Sequence, residues 1–366
     1  MHPLHTDLGV PPAVNASGKM TALGGSVLSD AVVAAMGEAA RHHVVMDDLI
    51  TAAGREIARA TGTEDGCPTT GAAAGIAIAV AAVVAGTDLA RIEALPDAGD
   101  APCEVILPRG HSVHFGAPVR QMIALGGGRP VEVGSANKVS RDHLAGAIGP
   151  RTAALLYVQS HHAVQKGMVS LAETVEVGRE HGVPVIVDAA AEEDLRRWPG
   201  TGADLVIYSG GKAVGGPTSG MICGSARHMA ACRAQYGGIA RPMKVGKETL
   251  FGLVQALRDY GTEPAGDHRA RMAKLADRLS ALPGLTTRVV GDEAGRAIHR
   301  TELTVDPAAA GRDATRLAAE LAASGVHLRD HQSATGRLLI DPRPMKPDEE
   351  EQLVARLTAL LEEGTR

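Results

Sequence analysis

The chain has 366 residues, of which 45% are hydrophobic and 22% charged, a composition suited to a globular protein of two or three packed units. Its formal net charge of -5 argues against nucleic acid as the main partner, because binding a phosphate backbone needs a basic surface. Every run approaching about 18 apolar residues is broken by glycine or charge, so no membrane-spanning helix is expected, and the opening MHPLHTDLGVPP lacks the basic-then-apolar layout of a secretory leader, which points to the cytoplasm.

Ser29-Asp30 is placed to cap a helix over 31–43, and 49–61 has helical spacing. Thr69-Thr70-Gly71 opens a further, alanine-rich helix. From residue 103 short apolar runs recur at 105–107, 131–133, 153–158, 183–187, 205–208 and 221–223, several of them separated by helical patterns such as 171–181. Strands alternating with helices imply an α/β protein whose mixed, mainly parallel sheet is covered on both faces. A helix over 243–258 ends at Tyr260-Gly261, and the pattern then changes to a helix (268–282), strands (285–290 and 302–305), a helix (314–324), a strand (337–340) and a last helix (348–362). The expected organisation is an N-terminal arm and helix (1–50), a large domain (51–260) and a smaller α+β C-terminal domain (261–366), without internal repeats.

Cys67, Cys103, Cys223 and Cys232 form no CxxC pair and read as buried small hydrophobes in a reducing compartment, with no metal site implied. Aromatic residues are 2% of the chain, with Trp198 the single tryptophan, so a flat cofactor would have to be stacked by something else, and histidine, present 15 times, is the natural substitute.

The most informative segment is Val185-Ile186-Val187-Asp188-Ala189-Ala190-Ala191, an apolar strand ending in a carboxylate and then small residues. Ligands of open α/β sheets sit beyond the carboxyl ends of strands. There, Asp188 can keep a pyridine nitrogen protonated, and Ala190 lets a flat ring approach the backbone. Alternatively, Asp188 caps the next helix. The next strand runs into Ser209-Gly210-Gly211-Lys212, which offers a phosphate donor, a tight turn and an amine suited to a Schiff base and to proton transfer. The spacing is not that of a P-loop. Thr70, Gly71 and Ala72 start a helix whose free N–H groups suit a phosphate, although a plain N-cap reads the same way. Arg109-Gly110-His111 follows a strand, where His111 is either a stacking residue or a structural one. For a substrate carboxylate, the bidentate guanidinium of Arg337 at the head of a strand is favoured, with Arg343 expected on the surface and Arg109, His161 and His162 as further candidates.

Together these motifs resemble the fold-type-I (aspartate aminotransferase-like) pyridoxal 5′-phosphate (PLP) enzymes, and more narrowly the family of selenocysteine synthase and D-glucosaminate-6-phosphate ammonia-lyase-like proteins. The matching text is Val14-Asn15-Ala16-Ser17-Gly18, Leu23-Gly24-Gly25-Ser26, Thr70 to Gly75, Arg109-Gly110-His111, Val185 to Ala191, Ser209 to Lys212 and Gly238 to Glu248. The resemblance implies that Lys212 holds PLP covalently, Asp188 pairs with its ring nitrogen, His111 stacks on the ring, and Thr70, Gly71, Ala72 and Ser209 surround the phosphate. It also implies a homodimer or larger assembly, in which Arg241, Lys244 and Lys247 either face the neighbour's phosphate or substrate or form a solvated basic face. Ser112-Val113-His114-Phe115 and Gln159-Ser160-His161-His162 depart from the family pattern near the expected substrate side. A tRNA-binding role is not expected, since the catalytic motifs begin almost at once. The expected activity is Cα-proton abstraction from an amino acid or amino sugar acid by a lyase. A racemase or epimerase, and a PLP-binding protein without turnover, remain open.

Overall fold

The computed structural model describes residues 3–160, 163–261, 268–292 and 296–363. The contacts divide the chain into two units, Leu28–Glu263 on one side and Met1–Val27 with Pro264–Arg366 on the other. The expected N-terminal segment 1–50 is therefore shared between both: β1 (Val14–Ala16) belongs with the far end of the chain, whereas the helix Asp30–Ala40, capped by the Ser29 hydroxyl, belongs to the larger unit.

The larger unit is built on strands β2 (Asp65–Thr69), β3 (Glu104–Pro108), β4 (Arg129–Val133), β5 (Thr152–Val158), β6 (Val185–Asp188), β7 (Leu205–Ser209) and β8 (Gly220–Gly224), in the order β2-β8-β7-β6-β5-β3-β4. Only β8 runs against its neighbours. Alternate residues of each strand enter opposite cores. Leu205 and Ile207 pack with Ile76, Val80 and Leu107 on one face, while Val206 and Tyr208 pack with Val175, Leu155 and Leu253 on the other. Burial on both faces is why these strands read as continuous apolar runs. The exception is β2, whose sequence DGCPT contains Pro68; as an edge strand it tolerates a residue without an N–H. The helix expected over 243–258 begins instead at Lys247, after a separate 3-10 turn at Arg241–Met243 and the cap Gly246. All four cysteines are buried free thiols.

In the other unit, β9 (Leu285–Gly291), β10 (His299–Val305) and β12 (Arg337–Ile340) form an antiparallel sheet in the order β12-β10-β9, and β11 (Val326–Leu328) pairs in parallel with β1. Leu275, Leu303, Leu317, Leu338, Leu353 and Leu357 are fully buried in its core.

Candidate functional site

Because β2, β3, β5, β6 and β7 share one direction, their carboxyl ends lie along a single edge of the sheet. That edge collects Thr69–Ala72 after β2, Arg109–His111 after β3, Asp188 at the end of β6 and Ser209–Lys212 after β7. Ser209 and Thr69 both lie opposite Gly220, so the two hydroxyl-bearing strand ends flank one residue of β8. A side chain at Gly220 would have its Cβ 2.5 Å from the Gly71 carbonyl carbon and 2.7 Å from Ala72 N, so only glycine lets the turn sit on the strand. Gly75 lets the following helix lie against β7, where a Cβ would come 2.8 Å from Ile207 Cγ2. That helix, Ala72–Ala85, begins at Gly71 without a side-chain cap.

Asp188 is 6% exposed, and Oδ1 accepts a hydrogen bond from Ala190 N at 3.1 Å. Burial pushes its pKa up to about 6, opposed by the Ala190 N–H and by the positive charge of Lys212. Ala190 is half-buried, and its carbonyl accepts from Ser209 N at 3.2 Å, which ties the two strand ends together. The turn that carries Lys212 is pinned by Gly210 N to Ser219 O and by Gly216 N to Gly210 O, both 2.8 Å. Gly210 is obligatory, because a Cβ there would stand 2.1 Å from Ser219 Oγ.

His111 is fully buried. Nδ1 accepts from Val158 N at 3.3 Å, the Tyr157 ring meets it edge-on at 4.5 Å, and Nε2 has no hydrogen-bond partner among the described residues. Burial lowers its pKa to about 4, opposed by the Val164 backbone, so the ring is neutral. Val164 N donates to Gly110 O at 3.0 Å and brings its segment over the histidine.

The substrate candidates are dispersed. Arg109 is exposed and shares Glu132 with Arg120, at 3.8 and 3.2 Å. Arg241 is exposed and, with Lys244, Tyr236 and Pro68, lines a cavity of about 350 Å³, whereas Lys247 is engaged by Glu248 at 2.6 Å. Arg337 belongs to the other unit, 4.0 Å from Glu302, which Arg288 also holds at 2.6 Å. His161 and His162 lie outside the described residues. Arg343, expected on the surface, is only 14% exposed: Asp341, completely buried, accepts from Arg343 Nε at 2.9 Å and from Arg300 Nε at 2.8 Å, and a buried carboxylate holds on to its cations. Arg300 in turn reaches Asp292, which pairs with Arg296. This linked set of charges escaped the sequence reading, and its only signal was a run of arginines and aspartates beside otherwise apolar strands.

The fold is that of the aspartate aminotransferase-like, fold-type-I PLP enzymes, shared at low identity with solved aminotransferases. The chain belongs to the family described as "SelA: L-seryl-tRNA selenium transferase", which it matches over residues 13–339. It is 58% identical to a 5′-C-glycyluridine monooxygenase-decarboxylase of Streptomyces sp, over 97% of this chain and 91% of that one. It is 45% identical to the D-glucosaminate-6-phosphate ammonia lyase of Salmonella typhimurium, over 98% of both. A solved D-glucosaminate-6-phosphate ammonia-lyase superposes with a TM-score of 0.94 at 45% identity, over the whole of each chain.

Proposed function

We propose that the chain holds pyridoxal 5′-phosphate at Lys212 and breaks a bond at the α-carbon of an amino-acid or amino-sugar-acid substrate as a lyase, with release of ammonia the leading reaction. The observation that carries this reading is Asp188, a carboxylate sealed at a strand end with its pKa pushed up to about 6. Such a group is stabilised by a cation at its side, and a protonated pyridine nitrogen is the cation that this class of enzyme brings. The uncapped start of the helix Ala72–Ala85 also fits a bound polar group.

When bound, PLP supplies the electron sink that makes bonds at the substrate α-carbon breakable. Asp188 keeps the ring nitrogen protonated. The Lys212 amine would take the α-proton of the substrate and could return it. The N–H groups of Thr70, Gly71 and Ala72 and the Ser209 hydroxyl bind the phosphate, and Ala190 leaves room for the ring. His111, held neutral by burial, is the residue that would stack on the ring. Arg337, Arg109 and Arg241 are the guanidinium candidates for substrate anions. A homo-oligomer working in the cytoplasm is part of the same proposal.

A second reading rests on the higher identity to the monooxygenase-decarboxylase. It is oxidative decarboxylation of a glycyl-bearing nucleoside, which begins at the same α-carbon but breaks the bond to the carboxylate. One experiment addresses both readings. Borohydride reduction followed by peptide mapping is expected to find the cofactor on Lys212, and a label on another lysine would overturn the proposal. The unreduced enzyme is then given D-glucosaminate 6-phosphate or 5′-C-glycyluridine. Ammonia and keto acid without oxygen uptake support the lyase, whereas carbon dioxide with oxygen uptake supports the second reading.

A further inference from the structure

The edge of the large sheet opposite the candidate site also holds a cavity, of about 490 Å³, at the amino ends of β5, β6 and β7. Its walls include Val175 and Val183, and its polar lining is Arg179, Asp204, Arg227 and His228. The size lies within the range of small-molecule sites, roughly 300–1,000 Å³. Arg179 comes from the last turn of the helix Leu171–His181 and passes over Gly202, where a Cβ would lie 3.5 Å from Nη2. Arg227 stands in the first turn of the helix Ala226–Ala234. A cation there opposes the helix dipole, which favours negative charge at that end, so its position is not explained by the helix.

Neither guanidinium makes a hydrogen bond or ion pair with a described residue. The carboxylates around them are committed elsewhere. Asp204 Oδ2 accepts from Val185 N at 2.8 Å, Glu64 Oε2 accepts from Ala226 N at 2.9 Å, and Glu180 is held by Arg141 at 2.5 Å. The His228 ring is turned to Ser225 Oγ at 3.0 Å. The cavity thus presents two exposed guanidiniums without a side-chain partner above an apolar floor, beside one carboxylate, Asp204, that is anchored to the backbone and offsets part of their charge.

The geometry points to a second ligand site, for a small organic anion whose carboxylate or phosphate-ester head lies between Arg179 and Arg227 while its apolar body rests on Val175 and Val183. The site stands apart from the strand ends that gather Asp188 and Lys212, and it does not depend on the reaction proposed there.

The test is calorimetric titration of the cofactor-loaded protein, in which any phosphate subsite of the cofactor is already filled. The probes are phenylacetate and phenyl phosphate, with phenethylammonium as the cationic control. At least one anion is expected to bind saturably, the better one identifying the head group, while the cation gives no saturable heat. Arg179→Gln/Arg227→Gln, which keeps bulk and removes charge, is expected to weaken that binding at least tenfold. Should the double variant fail to fold, each single variant is measured in its place and is expected to weaken binding at least threefold. The absence of saturable binding by both anions, equal binding of the cation, or wild-type affinity in the variants overturns the site.

Discussion

At Asp188 burial and charge pull against each other, and the balance depends on whether a cation is present. Without cofactor the folded-state pKa of about 6 lies above the unfolded value of about 3.9. The folded state then prefers the protonated acid: the stability this contributes is complete below the unfolded value and is lost as pH rises through about 6. His111 has the opposite slope. Its folded value of about 4 is below the usual value of about 6.5, so its contribution is complete at neutral pH and is lost as pH falls toward 4. Cofactor-free Asp188→Asn, which cannot ionise, is therefore expected to gain on the wild type by about 3 kcal/mol between pH 4 and 7, at about 1.36 kcal/mol per pKa unit, with the His111 contribution common to both. Urea unfolding at each pH measures the gap; wild-type and variant curves that stay parallel would show that Asp188 does not carry that burden. Loading PLP is expected to narrow the gap, because the pyridinium favours the carboxylate. The positions of Asp188, at the end of one apolar strand, and of Lys212, three residues past the end of the next, were legible in the sequence, and strand ends are where such sheets expose chemistry. The burial of His111 was not, since nothing in Arg109-Gly110-His111 reports that a segment some fifty residues on, around Val164, covers it.

Among the elements, the contact between β8 and the start of the helix Ala72–Ala85 sets the geometry of the proposed phosphate turn. Gly220→Ala pushes a methyl group into the backbone of Gly71 and Ala72, and backbone has no rotamer with which to yield. The expected outcome is a loss of PLP affinity of at least tenfold, about 1.4 kcal/mol, in a protein that still folds, read by titrating the cofactor's visible absorbance into apoprotein. Unchanged affinity would remove the turn from the cofactor site. The same pair of elements shows what sequence patterns miss. Strands β5, β6 and β7 were legible because burial on both faces makes them uniformly apolar. Strand β2 was not, because Asp65, Gly66 and Pro68 carry no strand signal and its pairing with β8 is set by a partner far along the chain. The three-residue strands β1 and β11 are too short to show any period.

For the molecule as a whole, the smaller unit depends on charges sealed inside it. Burial alone would raise the pKa of Asp341, but hydrogen bonds and charge from Arg343 and Arg300 outweigh it and hold the carboxyl well below its usual range. Asp341→Asn leaves Arg300, 4% exposed, without this partner, and removing one member of a buried pair costs about 3–5 kcal/mol. Chemical denaturation is expected to show that loss, and a change below about 1 kcal/mol would mean that the pair behaves like a surface contact. The wild-type contribution of Asp341 is present above the unfolded carboxylate value, about 3.9, and is lost as pH falls below it.

Asp341 N also donates to Ala16 O at 2.8 Å, and β1 pairs with Val326–Leu328, so Val14–Ala16 take their place against residues made some three hundred positions later. On the ribosome, Leu28–Glu263 can emerge and pack while Val14–Ala16 trails as an unpaired tail, exposed until β11 and Asp341 leave the exit tunnel. Closing so long a loop is entropically slow. A ribosome stalled before Val326 should therefore present an N-terminus that proteases still cut.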